Sequence, residues 1–380
     1  MRKKLFSRSK IQVAMRTIEV NLDKDPYKVL YSDLQQGIQT IQPESINGRK
    51  IAIISDDHAA NNNLDVLRKA LSRYDIKIIE IILSPGEKNK ELMVAENIID
   101  KLLSKKFERG DLIIGLGGGV IGDLSGFVAG IIHRGVKFIN IPTTLLAQVD
   151  SSIGGKAGVN SKYGKNLIGC FKQPELVICD INSLSTLPKR DLLAGYTELI
   201  KHALIGDAEL FSYLQNNVKN IFNDHTILQE VIHRSALVKA DIVMEDTHEK
   251  NIRAQLNLGH TYGHAIESFY KYDGRLLHGE AISIGIIMAF KTSLRLGLCQ
   301  ADHLHIVEDH FNKIGLLTDL KSLNGKKILP EKIIDLMRSD KKVTNETINL
   351  VLPREIGRVE IRNDVNENII QDVVRETLHL

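Results

Sequence analysis

Up to about residue 188 the chain alternates short apolar runs with amphipathic stretches. The runs are rich in Ile and Val: "KIAIIS", "IKIIEIIL", "DLIIGLG", "VKFINIP" and "LVICD". Apolar residues at successive positions, rather than alternate ones, predict strands buried on both faces of a parallel sheet. Helical segments such as Asn89 to Lys106 fall between them. Beyond Pro188 the spacing changes to helical period, in Arg190 to Ile205, Leu228 to Asp246 and Ala281 to Leu296. The pattern therefore predicts two parts, an α/β domain over 1–188 and a mainly helical, all-α domain over 189–380. A chain of 380 residues is long enough to bury two cores. No internal repeat or low-complexity segment interrupts it.

Composition narrows the function classes. With 43% hydrophobic and 26% charged residues, the chain reads as an ordinary globular protein. A net charge of +3 and a basic start confined to "MRKKLFSRSK" argue against nucleic acid as the main ligand. That start lacks an apolar stretch of signal-peptide length, and nowhere do 18 apolar residues run together, so no membrane partner and a cytoplasmic location are expected. Cys170, Cys179 and Cys299 are odd in number and form no C-x-x-C pair, which makes them packed thiols.

The first chemical motif is "DLIIGLGGGVIGDLSGF". A strand runs into Gly117, Gly118 and Gly119, and a helix should begin near Val120. Gly117 to Gly122 match G-x-G-x-x-G, in which absent side chains let backbone N–H groups and a helix N-terminus approach a pyrophosphate. A glycine-rich turn of this kind also serves plain packing. The following strand ends in "IPTT", without the acid that usually holds a ribose, whereas Asp56 follows an earlier strand in "IAIISDD" and can take that role. This predicts a variant, Rossmann-like dinucleotide fold. Two further stretches suit phosphates: "SPGEKNK", with Gly86, Lys88 and Lys90 in a turn, and "DSSIGGKAGVNSKYGKN", with Lys156 and Lys165 among glycines.

The helical half carries "GHTYGHAIESFYKYDGRLLHGE". If Arg253 to Glu267 is one helix, Arg253, Asn257, His260 and His264 form one stripe, which is too polar for a core and should line a polar cleft. His278 follows in a loop, and a chain reversal could return it to His260. The best third ligand is Glu198 in "AGYTELIKHALI", a carboxylate on an apolar helix, where burial without a partner is costly. Glu198, His260 and His278 make a His₂Glu set suited to catalytic zinc. An i, i+4 pair of His260 and His264 on one metal is the alternative. Isolated histidines are ordinarily hydrogen-bonded core or surface residues, the reading for His202, His225, His233, His248, His303, His305 and His310.

"GGGVIGDLSGF", "RGVKFINIPTTLLAQVDSSIGGKAGVN", "GKNLIG", "AGYTELIKHALI", "RAQLNLGHTYGHAIE" and "LHGEAISIG" occur in an order that resembles the 3-dehydroquinate synthase family of sugar phosphate cyclases, over nearly the whole chain after the first 20 or so residues. The resemblance implies an N-terminal NAD-binding α/β domain, a C-terminal helical metal-binding domain and a homodimer. It implies conversion of a small-molecule sugar phosphate, 3-deoxy-D-arabino-heptulosonate 7-phosphate, to 3-dehydroquinate and phosphate, the second step of the shikimate pathway. NAD oxidises and later reduces the same carbon, with phosphate elimination between. Ring opening and aldol closure follow.

Carried onto this chain, the resemblance makes Glu198, His260 and His278 the ligands of zinc, or of cobalt in its place, and His264 a group for proton transfer. Lys156, Lys201 and Glu249 correspond to catalytic positions, and Asp150, Asn166, Lys239, Arg253 and Asn257 to substrate contacts. NAD contacts correspond to Asp56, to Pro85, Gly86, Glu87, Lys88, Asn89 and Lys90, and to Gly119, Val120, Ile121, Gly122 and Asp123. Thr143, Thr144, Lys156, Lys165, Ser183, Leu184, Ser185 and Thr186 complete that set. His58 stands where many relatives carry Asn, which bears on one adenosine-side contact. A lysine of "SDKKVT", Lys341 or Lys342, joins the substrate site.

Two rivals share parts of this pattern. A metal-dependent polyol dehydrogenase of related fold would carry both domains, and His202 after Glu198 resembles its acid-x-x-x-His spacing, yet such an enzyme has no use for lysines at a phosphate. A dinucleotide-sensing module would need only the first half.

Overall fold

The computed structural model describes residues 14–271, 273–321, 329–338 and 348–378. Lys341 and Lys342 lie outside them. Two compact units form, one from 1–188 with Leu228–Thr247 and one from Lys189–Ile227 with His248–Leu380.

In the first unit the strands are β1 (Arg16–Val20), β2 (Tyr27–Tyr31), β3 (Arg49–Asp56), β4 (Ile76–Leu83), β5 (Leu112–Gly117), β6 (Lys137–Pro142), β7 (Lys156–Ser161), β8 (Gly164–Phe171) and β9 (Leu176–Cys179). Seven make one sheet in the order β1-β2-β9-β6-β5-β3-β4, parallel except for β1. Alternation along β3 sends Ile51 and Ile53 into the core on one face and Ala52 and Ile54 into the core on the other. Both faces are covered: Asp57–Leu71 packs on the first, and Leu92–Ser104 with Gly119–Ile131 on the second. The five apolar runs are thus β3, β4, β5, β6 and β9; β3, β5, β6 and β9 are buried as a parallel sheet requires, whereas β4, at the sheet edge, leaves Ile78 and Ile82 exposed. Strand order reverses beside β3, since β4 lies on one side of it and β5 on the other. In open α/β sheets, the carboxyl ends of strands at such a switch point form a ligand crevice.

One boundary differs from the sequence expectation. Leu228–Thr247, expected in the helical half, belongs to the first unit. Its anchors are specific: Gln229 donates to the Ala14 carbonyl, Arg16 pairs with Glu230 at 2.5 Å, His233 meets the edge of Tyr31, and Lys239 bonds Asp150.

Among the described residues, the second unit is helical apart from the hairpin β10 (Leu350–Glu355) and β11 (Arg358–Arg362). The helix Lys189–Gly206 is buried continuously from Ala194 to Ile205, and His278–Arg295 is apolar nearly all round, with Ile282, Ile284, Ile286, Ile287 and Phe290 in the core. A helix without a polar face is a central one. Arg253 to Glu267 is not a single helix. Ile252–Asn257 is a 3₁₀ turn, and the α-helix starts only at His260. The break is Gly259, left-handed at φ 78°, where an added Cβ would lie 2.8 Å from the Ile286 backbone nitrogen and 2.9 Å from the Ile282 carbonyl oxygen. Only glycine meets both conditions. Nor is His278 in a loop; it is the first residue of its helix. Among the described residues no helix is long and apolar enough to cross a membrane.

Candidate active site

Glu198 sits mid-way along the buried helix Lys189–Gly206, fully shielded from solvent. Lys201, one turn on and equally buried, donates to its Oε2. Oε1 has no hydrogen-bond partner, an expensive state for a buried carboxylate oxygen. Around it stand His278 Nε2 at 3.5 Å and His260 Nε2 at 3.8 Å. His264 completes a cluster whose ligand atoms, with those of His260 and His278, lie within 4.8 Å of one another.

The ring orientations follow from the opposite nitrogens. His260 Nδ1 is 3.1 Å from the Leu258 carbonyl, an acceptor, so it carries the hydrogen and Nε2 is the ring's acceptor nitrogen. His278 Nδ1 lies 2.9 Å from Glu267 Oε2. Burial lowers the affinity of His278 for a second proton, but Glu267 and Glu198 outweigh it and push its pKa up to about 10. Glu198 and Glu267 thus make the surroundings of His278 favourable to positive charge, carried by a proton on its ring or by a metal ion. The orphaned oxygen and two imidazole Nε2 atoms fit a zinc-type ion with open positions. Glu267 is not among the residues expected from the sequence. Its spacing, three residues after His264 and seven after His260 on one helical face, was the available signal.

The first unit places the glycine motif at the end of β5, beside the strand-order reversal, with Asp56 at the end of neighbouring β3. The helix Gly119–Ile131 has Gly118 as an N-cap without a side chain, so its leading N–H groups have no intrahelical partner and face outward as anion donors. Gly117 owes its identity to packing, since a Cβ there would meet Ile121 at 2.7 Å. At Gly119 the nearest atom to an added Cβ is Ser151 Oγ at 3.1 Å, a tight contact with a side chain and not with backbone. Asp56 caps Asp57–Leu71 by accepting from the Ala59 N–H at 2.9 Å through one carboxylate oxygen.

Several expected residues meet here. Lys90 is buried and spans Asp123 and Asn166, at 2.5 Å from each; Asn166 holds φ 55°, an unusual value outside glycine. Burial raises the Asp123 pKa, and Lys90 opposes that rise. Lys239 bonds both the carboxylate and the carbonyl of Asp150. Thr143 donates its N–H to the Gly117 carbonyl at 2.9 Å, and Thr144 Oγ1 accepts from Ala147. Pro85, Gly86, Glu87 and Lys88 form an exposed turn, whereas the Asn89 side chain turns inward to the Ser84 carbonyl. Ile121 and Leu184 have side chains in the core and can offer only backbone; Ser183 bonds Gln148 and Asp180. Ser185 and Thr186 are exposed, as is Lys156 at the start of β7, while Lys165 is half-buried. In the second unit Arg253 is buried, and Asn257 donates to Glu249 at 3.5 Å.

Residues 80–194 match the family model described as 3-dehydroquinate synthase N-terminal, and 195–343 the one described as 3-dehydroquinate synthase C-terminal. The chain belongs to the 3-dehydroquinate synthase family. It is 43% identical over 368 residues to the 3-dehydroquinate synthase of Bartonella bacilliformis, covering 95% of this chain and 98% of that one. A crystal structure of 2-deoxy-scyllo-inosose synthase, complexed with carbaglucose-6-phosphate, NAD+ and Co2+, has a TM-score of 0.85 and 26% identity, covering 96% of this chain and 100% of the other. An iron-containing alcohol dehydrogenase from Thermotoga maritima shares the fold at a TM-score of 0.63 and 17% identity, over 88% of this chain and 92% of its own.

Proposed function

We propose that the chain converts 3-deoxy-D-arabino-heptulosonate 7-phosphate to 3-dehydroquinate and phosphate as a redox-neutral, NAD-dependent and metal-dependent carbon–oxygen lyase. The observation that carries the reading is Glu198 Oε1, orphaned between His260 Nε2 and His278 Nε2 in a chain of this family. Bound NAD supplies reversible hydride transfer, and a bound divalent ion, zinc by the chemistry of its donors, supplies Lewis acidity at the substrate oxygens.

The chain's own residues bind, orient and move protons. The N–H groups of Gly119 to Ile121 and the cations of the turn 85–90 hold the pyrophosphate, and Asp56 holds a ribose. Lys156, Lys201 and Arg253 hold the departing phosphate, so a positive environment stabilises charge as the C–O bond breaks. His264 exchanges a proton near the metal ligands without serving as one. Asp150, Asn166, Lys239, Glu249 and Asn257 orient the remaining substrate groups, which favours the intramolecular ring closure. The chain acts as a homodimer in the cytoplasm.

The dehydrogenase fold likeness supplies the rival reading, and product analysis separates the two. NMR of a reaction containing the heptulosonate phosphate, NAD and zinc should show carbocycle and phosphate in equal amounts, with no net NADH. Steady NADH production well beyond the enzyme concentration would overturn the synthase reading.

A further inference from the structure

We infer that Glu267 is a positioning residue for the metal centre, holding the His278 ring so that its Nε2 faces Glu198. The inference rests on the ligand set proposed above. Three observations carry it. Glu267 is 5% exposed, and a carboxylate that deep needs partners; His278 Nδ1, at 2.9 Å from Oε2, is one of them. It stands on the helix His260–Phe269, which also carries His260 and His264, whereas His278 opens a different helix. The contact therefore ties the two helices at the site itself. Last, each ligand has its other polar atom occupied: Glu198 Oε2 by Lys201, His260 Nδ1 by the Leu258 carbonyl and His278 Nδ1 by Glu267. The Nε2 atoms of His278 and His260 lie 3.5 and 3.8 Å from Glu198 Oε1.

Of these holds, only that on His278 uses a charged side chain from another element. His278 is also the most exposed of the three, with 34% of its side chain accessible, so packing restrains its ring least. A carboxylate accepting from Nδ1 fixes the tautomer and strengthens the Nε2 lone pair, and loss of such partners typically costs about 10–100-fold in metal affinity.

The test is chelator competition on the full-length chain, stripped of metal and titrated with zinc ion. Cobalt ion in its place reports geometry through its visible absorption. Glu267→Ala should weaken zinc binding by about 10–100-fold and alter the cobalt spectrum. Glu267→Gln, which still accepts through its amide oxygen but lacks the charge, should fall between that variant and the parent. Parental affinity and an unchanged cobalt spectrum in both would overturn the inference, even if metal-free stability dropped. Should the alanine variant fail to fold, the near-isosteric glutamine variant decides alone on the same two readouts. His278→Ala, run in parallel, separates this from the ligand set: if it too keeps parental affinity, the ligand assignment has failed and not Glu267 alone.

Discussion

Each unit buries a lysine against a carboxylate, and the two pairs end differently. In the first, Lys90 is shared between Asp123 and Asn166, and the arrangement closes on itself. In the second, Lys201 takes one oxygen of Glu198 and leaves the other facing two imidazole nitrogens. A closed network needs nothing more, whereas an open one stays costly until a cation fills it. The Lys90 network is satisfied within the protein, whereas the Lys201 network leaves one buried carboxylate oxygen without a hydrogen bond.

The largest expected effect breaks the open network. Replacing His278 by Ala removes a ligand, and should lower zinc affinity by more than the roughly 100-fold reached through outer partners. Zinc content after exhaustive dialysis is the measurement, and parental content would remove His278 from the ligands. His264→Ala sharpens the same point: it should keep its zinc and lose turnover, and an equal loss of zinc would place His264 on the ion.

A smaller effect tests the backbone site. An added Cβ at Gly119 meets the Ser151 hydroxyl at 3.1 Å, so Gly119→Val should fold once that side chain gives way by a few tenths of an ångström. It should nonetheless weaken NAD binding by more than about tenfold, or about 1.4 kcal/mol, because the branch occupies the approach to the helix N-terminus. Titration calorimetry with NAD decides this. Unchanged affinity would return the glycine turn to plain packing.

The contrast also explains what was legible in the sequence. The sheet was readable because strands buried on both faces must be apolar at successive positions, as β3, β5, β6 and β9 are. The hairpin β7–β8 was not, since "KAGVNSKYGKNLIGCF" is rich in Gly, Lys and Asn and resembles a loop. Its pairing is local, from Lys156 with Phe171 to Ser161 with Gly164, but weak strand formers hide it. Glu198 and the histidines stood out because polar groups on an apolar pattern need a reason. Gly259 misled because a glycine within a helical period is usually tolerated; here the neighbouring helix backbone decides its conformation, and spacing along one segment carries no record of that. The placement of Leu228–Thr247 escaped for the same reason, since its anchors lie more than 200 residues away at Ala14 and Arg16.

The smallest effect concerns a histidine of the second unit outside the metal cluster. His310 is buried, shares a 2.7 Å hydrogen bond with Tyr196 and packs against Phe211. Burial lowers its pKa to about 4, the reverse of His278, where nearby carboxylates win. The sign follows from linkage. Between about pH 6.5 and pH 4 the unfolded chain binds a proton at this position that the folded chain refuses, so the contribution of His310 to stability is complete above pH 6.5 and falls as the medium becomes acid. From pH 6.5 to 5.5 the loss is about 1 kcal/mol. Hydrogen exchange followed by mass spectrometry over 301–314 reads it locally, which matters in a chain of two units. His310→Gln keeps a polar partner for Tyr196 but cannot titrate, so its protection should depend less steeply on pH by about one proton. His225 and His233, whose pKa values burial also lowers, remain in both proteins, and the difference isolates His310. Identical slopes would mean that the buried ring accepts its proton without cost, and the tie between Tyr196 and His310 would then have no part in the acid sensitivity of the unit that carries the metal ligands.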